Sequence, residues 1–187
     1  MQISKTKIPG CFKMSLHKME DNRGVFVKTF HEDYFREFEL ETNFVEEYYS
    51  YSVEGVIRGL HFQIPPTAHT KLVYCAYGEV FDAVVDLRIG SPTYKCFEVV
   101  ELSSKKGNLL YIPPGLAHGF VVLSKEAVVV YNATSVYSAE HDKGILWNSA
   151  GIPWPNKKPI ISERDKMFKS LNEFDSPFIF KSGSKTG

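Results

Sequence analysis

Neither sign of charge prevails in this chain, whose 187 residues carry 22 Lys and Arg against 22 Asp and Glu, with six His neutral. A wide basic face, the usual source of nucleic-acid affinity, is therefore not expected. Cysteine is scarce: Cys11, Cys75 and Cys96 are odd in number, far apart, and lack the CxxC or CxH spacing of a zinc site. They read as reduced thiols of a cytoplasmic protein. No stretch approaches the roughly 18 uninterrupted apolar residues of a membrane span, and the first residues, MQISKTKIPGCFKMSLHK, hold no apolar core of signal-peptide length. Neither secretion nor membrane insertion is expected, and no internal repeat is visible.

Aromatic and β-branched residues are abundant, with 14 Phe and 10 Tyr against 2 Trp and a hydrophobic fraction of 43%. That is enough apolar material for a packed core. The length suits one domain, expected over residues 1–180, with the polar residues 181–187 (KSGSKTG) as a flexible tail.

Strand-forming runs occupy 24–30, 44–62, 71–88, 96–102, 108–112, 119–123 and 127–132, punctuated by Gly90-Ser91-Pro92, Pro113-Pro114-Gly115 and Ser124-Lys125-Glu126. Strands at this spacing without helices between them indicate an antiparallel sandwich or barrel. One helical window, 31–41, sets Tyr34, Phe35 and Phe38 at helical spacing and is expected on the outside of the barrel. Pro153, Pro155 and Pro159 make 151–165 an extended crossing segment.

Polar residues inside apolar strands mark the candidate site. In Arg58-Gly59-Leu60-His61-Phe62-Gln63, alternation turns His61 and Gln63 to one face and Leu60 and Phe62 to the other. Lys71, Asp82, Asp86, His118 and Tyr131 stand in or beside other apolar strands. Each has a plain structural reading, such as Asp86 paired with Arg88 or Arg58. Together they furnish a cavity with an acid, a base and a cation.

Pro113-Pro114-Gly115-Leu116-Ala117-His118 resembles half of the signature of double-stranded β-helix (cupin) proteins, which implies an all-β jelly-roll barrel with short peripheral helices. The metal-binding half of that signature is incomplete: its place reads His61-Phe62-Gln63, and Ile64-Pro65-Pro66-Thr67-Ala68 supplies no carboxylate. A metal-free chemistry is expected.

Over about Asp21–Asp165 the chain resembles the nucleotide-sugar epimerases typified by dTDP-4-dehydrorhamnose 3,5-epimerase. The resemblance rests on Arg23-Gly24-Val25-Phe26, Gly55 through Pro66, Lys71-Leu72-Val73, Gly78 through Asp82, Asp86-Leu87-Arg88, Ser91-Pro92-Thr93, Ile112 through Phe120, Gly144 through Asn148, Trp154-Pro155 and Ser162-Glu163-Arg164-Asp165. It implies His61 as base, oriented by Asp165, Tyr131 as the acid returning a proton, and Lys71 as the cation at the C4 enolate oxygen. It further implies that Arg58 and His118 meet the diphosphate and sugar, that Gln63 belongs to the substrate site, that Asp82 partners a cavity histidine, and that Tyr137 stacks on the base. The substrate is then a nucleoside-diphosphate 4-keto-6-deoxyhexose, with no cofactor. Family members are homodimers in which an N-terminal strand reaches the neighbour's site, so Arg23, Phe26 and Lys28 would serve the partner.

Two positions depart from the family pattern. Lys28 stands where a carboxylate usually accepts from the thymine N–H, and a donor there suits cytidine better. Glu46 and Tyr48, in Glu46-Glu47-Tyr48-Tyr49-Ser50-Tyr51-Ser52, replace two amides that contact phosphates or sugar. One reading pairs Lys28 with Glu46 as compensating charges. A CDP-linked 4-keto-3,6-dideoxyhexose epimerised at C5 is then an alternative substrate, and a cupin 3,4-ketoisomerase an alternative reaction. A metal-dependent cupin and a non-catalytic sugar-nucleotide binder are the rival classes.

Overall fold

The computed structural model describes residues 1–181. Two antiparallel sheets face each other. One has the strand order β1 (Gln2–Lys5), β2 (Phe12–Ser15), β10 (Asn108–Ile112), β7 (Lys71–Tyr77), β12 (Glu126–Ala133), β5 (Glu46–Val53). The other runs β13 (Asp142–Gly144), β6 (Ile57–Gln63), β11 (Leu116–Val122), β8 (Glu79–Asp86), β9 (Phe97–Ser103). A separate hairpin joins β3 (Lys18–Asp21) and β4 (Gly24–Val27), and two short helices, α1 (Glu32–Glu37) and α2 (Glu163–Lys166), complete the chain. From β5 to β8 successive strands change sheet each time, as they do from β9 to β12, and the result is a double-stranded β-helix of the cupin type.

The apolar runs 44–62 and 71–88 are therefore each two strands in opposite sheets. The break in the second is Gly78, at φ +79°, where a Cβ would stand 2.3 Å from the Glu126 carbonyl oxygen. Only glycine makes that one-residue crossing. Three N-terminal strands and β13 lie in stretches too polar to advertise themselves. The helix expected over 31–41 shrinks to α1, because Glu39 adopts φ +54° and ends the turn. Phe35 alone of its three aromatics is buried, among Phe12, Met14, Leu40, Leu72, Leu109 and Tyr111 on the outer face of the larger sheet. Residues 151–162 do cross without pairing, apart from a parallel bridge of Ile160 to Val56. The expected extended segment ends in α2 instead, capped by Ser162 Oγ, which accepts the Asp165 N–H at 3.1 Å. The expected tail falls, beyond Lys181, outside the described residues.

Alternation along the strands sorts three apolar layers. Val73, Cys75, Leu110, Ile112, Val129 and Tyr131 of one sheet meet Val80, Val84, Leu102, Leu116, Phe120 and Val122 of the other inside the barrel. Leu60, Phe62, Ala83, Val85 and Ala117 face outward, covered by Ile145, Ile152, Leu171 and Phe178 of the C-terminal segment. The interior layer is apolar at one end of the barrel and polar at the other.

A bulge decides what reaches that polar end. On β11, His118 opposes His61 and Phe120 opposes Arg58, so three steps along β6 match two along its partner. Simple alternation would send Arg58 outward with Leu60 and Phe62. The extra residue restores Arg58 to the face of His61. Gly59 and Gly119 make the closure possible: a Cβ on Gly119 would lie 2.6 Å from the Arg58 carbonyl oxygen and 3.0 Å from Gly59 Cα. Gly119→Ala is accordingly expected to cost about 1–3 kcal/mol of stability by overpacking, measured by urea denaturation, and to lower activity. An unchanged midpoint contradicts the close approach.

Candidate active site

Where β7 begins and β6 and β12 end, the barrel opens into a cavity of about 410 Å³ whose lining includes Arg58, His61, Gln63, Lys71, His118, Tyr131, Glu46 and Tyr137. The bulged β6 carries Arg58, His61 and Gln63; β11 carries His118; the facing sheet carries Lys71 on β7 and Tyr131 on β12. Eight sequence-predicted site residues thus share one cavity, and Asp165 and Asp82 stand directly behind its two central imidazoles.

His61 Nε2 lies 2.9 Å from Asp165 Oδ1, and the Gly59 N–H donates to Asp165 Oδ2 at 3.3 Å. Burial raises the Asp165 pKa, but the bonds and charge from His61, with those from Gly59 and Ser162, outweigh it and hold the carboxyl below its ordinary value. An ionised Asp165 accepts a hydrogen bond from Nε2–H, which leaves the lone pair on Nδ1. Nδ1 of His61 is thereby left able to accept a proton.

His118 Nε2 stands 2.7 Å from Asp82 Oδ2, with both side chains buried. Desolvation pushes Asp82 up, against the pull of His118 and Lys71, and its Oδ1 has no partner among the described residues. Tyr131 lies between His118, 6.0 Å away and edge-on, and Tyr48, with its hydroxyl 3.4 Å from Ser50 Oγ. Burial raises its pKa far above the ordinary tyrosine value, so the phenol keeps its proton. Lys71 is buried as well, its Nζ meeting, among the described residues, only the His61 carbonyl at 3.5 Å, and desolvation brings its pKa down to about 8. Arg58 reaches the mouth, anchored by Ser52 Oγ at 2.8 Å and the Tyr51 carbonyl at 3.2 Å.

Gln63 is less a free donor than a clamp. Its Oε1 accepts the Ser138 N–H at 2.5 Å and its Nε2 donates to the Thr67 carbonyl at 3.0 Å and the Val136 carbonyl at 3.3 Å, fixing the loop that carries Tyr137. Asp86 proves structural: Arg88, Ser91 and Thr93 satisfy both its oxygens. Arg23, Phe26 and Lys28 do not enter this cavity. Arg23 and Phe26 sit on the exposed β3–β4 hairpin, and Lys28 lines a separate pocket with His17, Met19, His31 and Tyr34. The Lys28–Glu46 pair is thus not formed within the chain, because the hairpin stands apart from β5. The compensating pair has no basis in one subunit.

Sequence reasoning missed four polar lining residues, Ser50, His69, Asp142 and Arg164, and read Tyr48 only as the replacement of an amide. Arg164 pairs with Asp142 at 2.6 Å. His69 was findable, two residues before Lys71 and so toward the same side. His69 Nδ1 lies 3.1 Å from both Gln63 Nε2 and Ser135 Oγ, and Ser135 Oγ in turn donates to the Thr67 carbonyl at 2.7 Å. Nε2 of His69 is buried and has no hydrogen-bond partner among the described residues. Among the described residues, no three His, Cys, Asp or Glu side chains gather as a metal site.

Desolvation, reinforced by Lys71, lowers the His69 pKa from 6.5 to about 4. The unfolded chain then binds more protons than the native one between these values, so stability falls as pH drops from about 6.5 to about 4. His69→Gln is expected to flatten that slope in denaturation curves, and ¹⁵N NMR to show a neutral His69 ring at pH 6. An imidazolium signal there contradicts the assignment.

The dTDP-4-dehydrorhamnose 3,5-epimerase family matches residues 5–173. The dTDP-4-dehydrorhamnose 3,5-epimerase of Shigella flexneri is 42% identical over 168 residues, covering 88% of this chain and 93% of that protein. The enzyme of the same name from Methanothermobacter thermautotrophicus is 43% identical over 174 residues, covering 90% and 94%. The crystal structure of dTDP-6-deoxy-D-glucose-3,5-epimerase from Legionella pneumophila in complex with dTDP-4-keto-L-rhamnose superposes with a TM-score of 0.91 at 34% identity, covering 96% of this chain and 99% of that one. With a jelly-roll barrel, a His–Asp pair facing a buried tyrosine, and matches of this extent, the chain belongs to the dTDP-4-dehydrorhamnose 3,5-epimerase family.

Proposed function

We propose that residues 1–180 form one catalytic domain that inverts C3 and C5 of a dTDP-linked 4-keto-6-deoxyhexose. The observation that carries this reading is the opposition of His61, on the smaller sheet, to Tyr131 and Lys71, on the larger one, across a single cavity. A hydrogen beside a ketone is acidic because its loss gives an enolate, and both C3 and C5 flank the C4 carbonyl. His61 Nδ1 takes that proton while the C–H electrons move toward O4, where the Lys71 ammonium meets the developing negative charge. Tyr131 then delivers its phenolic proton to the other face of the carbon, and O4 returns to a carbonyl. No electron leaves the substrate, whose own ketone is the sink. His61 and Tyr131 regain their starting states by exchange with solvent.

Arg58 at the mouth and His118 within suit the diphosphate and sugar, and Tyr137, 61% exposed on the clamped loop, suits the base. The exposed β3–β4 hairpin, with Phe26 59% accessible, supports a homodimer in which Arg23, Phe26 and Lys28 complete the partner's nucleotide site. Three free thiols suit a reducing cytoplasm, and no helix among the described residues is long and apolar enough to cross a membrane.

In D₂O with dTDP-4-keto-6-deoxyglucose, His61→Ala is expected to abolish deuterium incorporation, a loss of about 10²–10⁴-fold. Tyr131→Phe retains exchange but loses epimerised product. Undiminished exchange in the first variant, or equal loss of both signals in the second, sinks the respective role.

Lys71 must be protonated to act, so kcat/KM of the free enzyme is expected to hold below about pH 8 and decline above it. Lys71→Arg, with a guanidinium that keeps its proton, moves that limb upward. A wild-type profile flat to pH 10 contradicts the assignment.

A further inference from the structure

We propose that Tyr48 is a positioning residue for Tyr131, pinning its ring by face-to-face stacking so that its hydroxyl addresses one place in the cavity. The proposal rests on the reading of Tyr131 as the returning acid. Tyr48 and Tyr131 are direct cross-strand partners on β5 and β12, with ring centroids 4.7 Å apart and planes only 15° from parallel. Of the aromatic pairs in the cavity wall this is the stacked one; the contact of Tyr131 with His118 is edge-on at 74°. Tyr131 is 7% exposed and Tyr48 is 41% exposed, so Tyr48 is the outer plate that closes the acid off from water.

The remaining restraints are weak by comparison. At 3.4 Å the contact with Ser50 Oγ is long for an O–H···O bond, and either oxygen can donate. An edge-on imidazole limits the ring on one side only. Without the plate, the Tyr131 side chain is free to swing toward β5, and a phenol displaced by about 1 Å loses its reach to a carbon acid. Tyr48 acts through its ring, since no protein hydrogen bond engages its hydroxyl among the described residues.

The consequence is a partition. His61 forms the enolate whatever Tyr48 does, but the enolate then either receives a proton from a held Tyr131, giving inverted sugar, or is reprotonated by His61 on its original face. The second course returns starting material carrying solvent deuterium. Releasing Tyr131 shifts molecules from the first course to the second.

The test measures epimerised product per deuterium incorporated, with dTDP-4-keto-6-deoxyglucose in D₂O, for the wild type, Tyr48→Phe, Tyr48→Ser, Tyr48→Leu and Tyr131→Phe, each checked for folding by its thermal midpoint. Tyr48→Ser and Tyr48→Leu are expected to lower the ratio roughly two- to tenfold, the worth of an aromatic stack expressed as a rate, with exchange retained. Tyr48→Phe, which keeps the ring, restores it. A wild-type ratio in both Tyr48→Ser and Tyr48→Leu, beside a lowered ratio in Tyr131→Phe, overturns the positioning role and leaves the acid in place. A ratio unmoved in Tyr131→Phe overturns the acid assignment and the role of Tyr48 with it. Loss of the ratio in Tyr48→Phe equal to that in Tyr48→Ser assigns the effect to the hydroxyl and also overturns the proposal.

Discussion

The polar chemistry inside this barrel depends on two glycines. Gly59 and Gly119 face each other where β6 and β11 close, at a separation that leaves no room for a side chain on either. That closeness lets β6 carry one residue more than its partner, and the surplus brings Arg58 and His61 to the same face. It also leaves the Gly59 N–H without a ladder partner, and Asp165 takes it up with the oxygen it does not give to His61. One local irregularity thus positions Arg58, orients His61 and docks α2.

Three buried carboxylates show how the same chemical group serves different ends. Asp86 has its oxygens filled by Arg88, Ser91 and Thr93 and is held ionised; nothing remains for a ligand, and its work is to tie the loop after β8. Asp165 gives one oxygen to His61 and the other to the Gly59 N–H, so its charge reaches the cavity through the imidazole. Asp82 keeps one oxygen unpartnered beside His118, at the desolvation cost that such a group carries. Satisfied carboxylates hold structure here, and the incompletely satisfied one stands at the cavity.

Much of the site is legible because strands obey a two-residue period. That period puts His61 and Gln63 on one face, and Val73 and Tyr131 inside with them. Where it breaks, the sequence misleads: nothing in Arg58-Gly59-Leu60-His61 announces which residue is surplus, and the surplus alone brings Arg58 inward. Lys28 and Glu46 illustrate a second limit, since their charges suggest a pair that only a common location makes real, and the hairpin bearing Lys28 packs elsewhere. The N-terminal strands escaped notice because β3 is exposed along its length, so no alternation of polar and apolar residues was needed to build it. His69 stands two residues before Lys71 and was within reach of the same period, but its contacts, with Gln63 and with Ser135 far along the chain, are not written in residue order.

A neutral chain can still concentrate charge where it matters, and Lys71 shows the cost and the use of doing so. Its ammonium is buried with one carbonyl at 3.5 Å, and Asp142 and Asp82 support it only through space. A cation so poorly compensated lowers the stability of the empty barrel, and its proton is held loosely for a lysine. In the proposed mechanism, the oxygen that becomes negative supplies the missing partner at the moment the enolate forms. The energy withheld from the folded ground state is in this way released selectively to the transition state. Tyr131 mirrors the arrangement with opposite sign: burial makes its phenolate costly, so in the proposed mechanism it parts with a proton only to an acceptor as basic as an enolate carbon. Cation and acid are thus both tuned by the same dry wall, to which Tyr48 contributes the outermost plate.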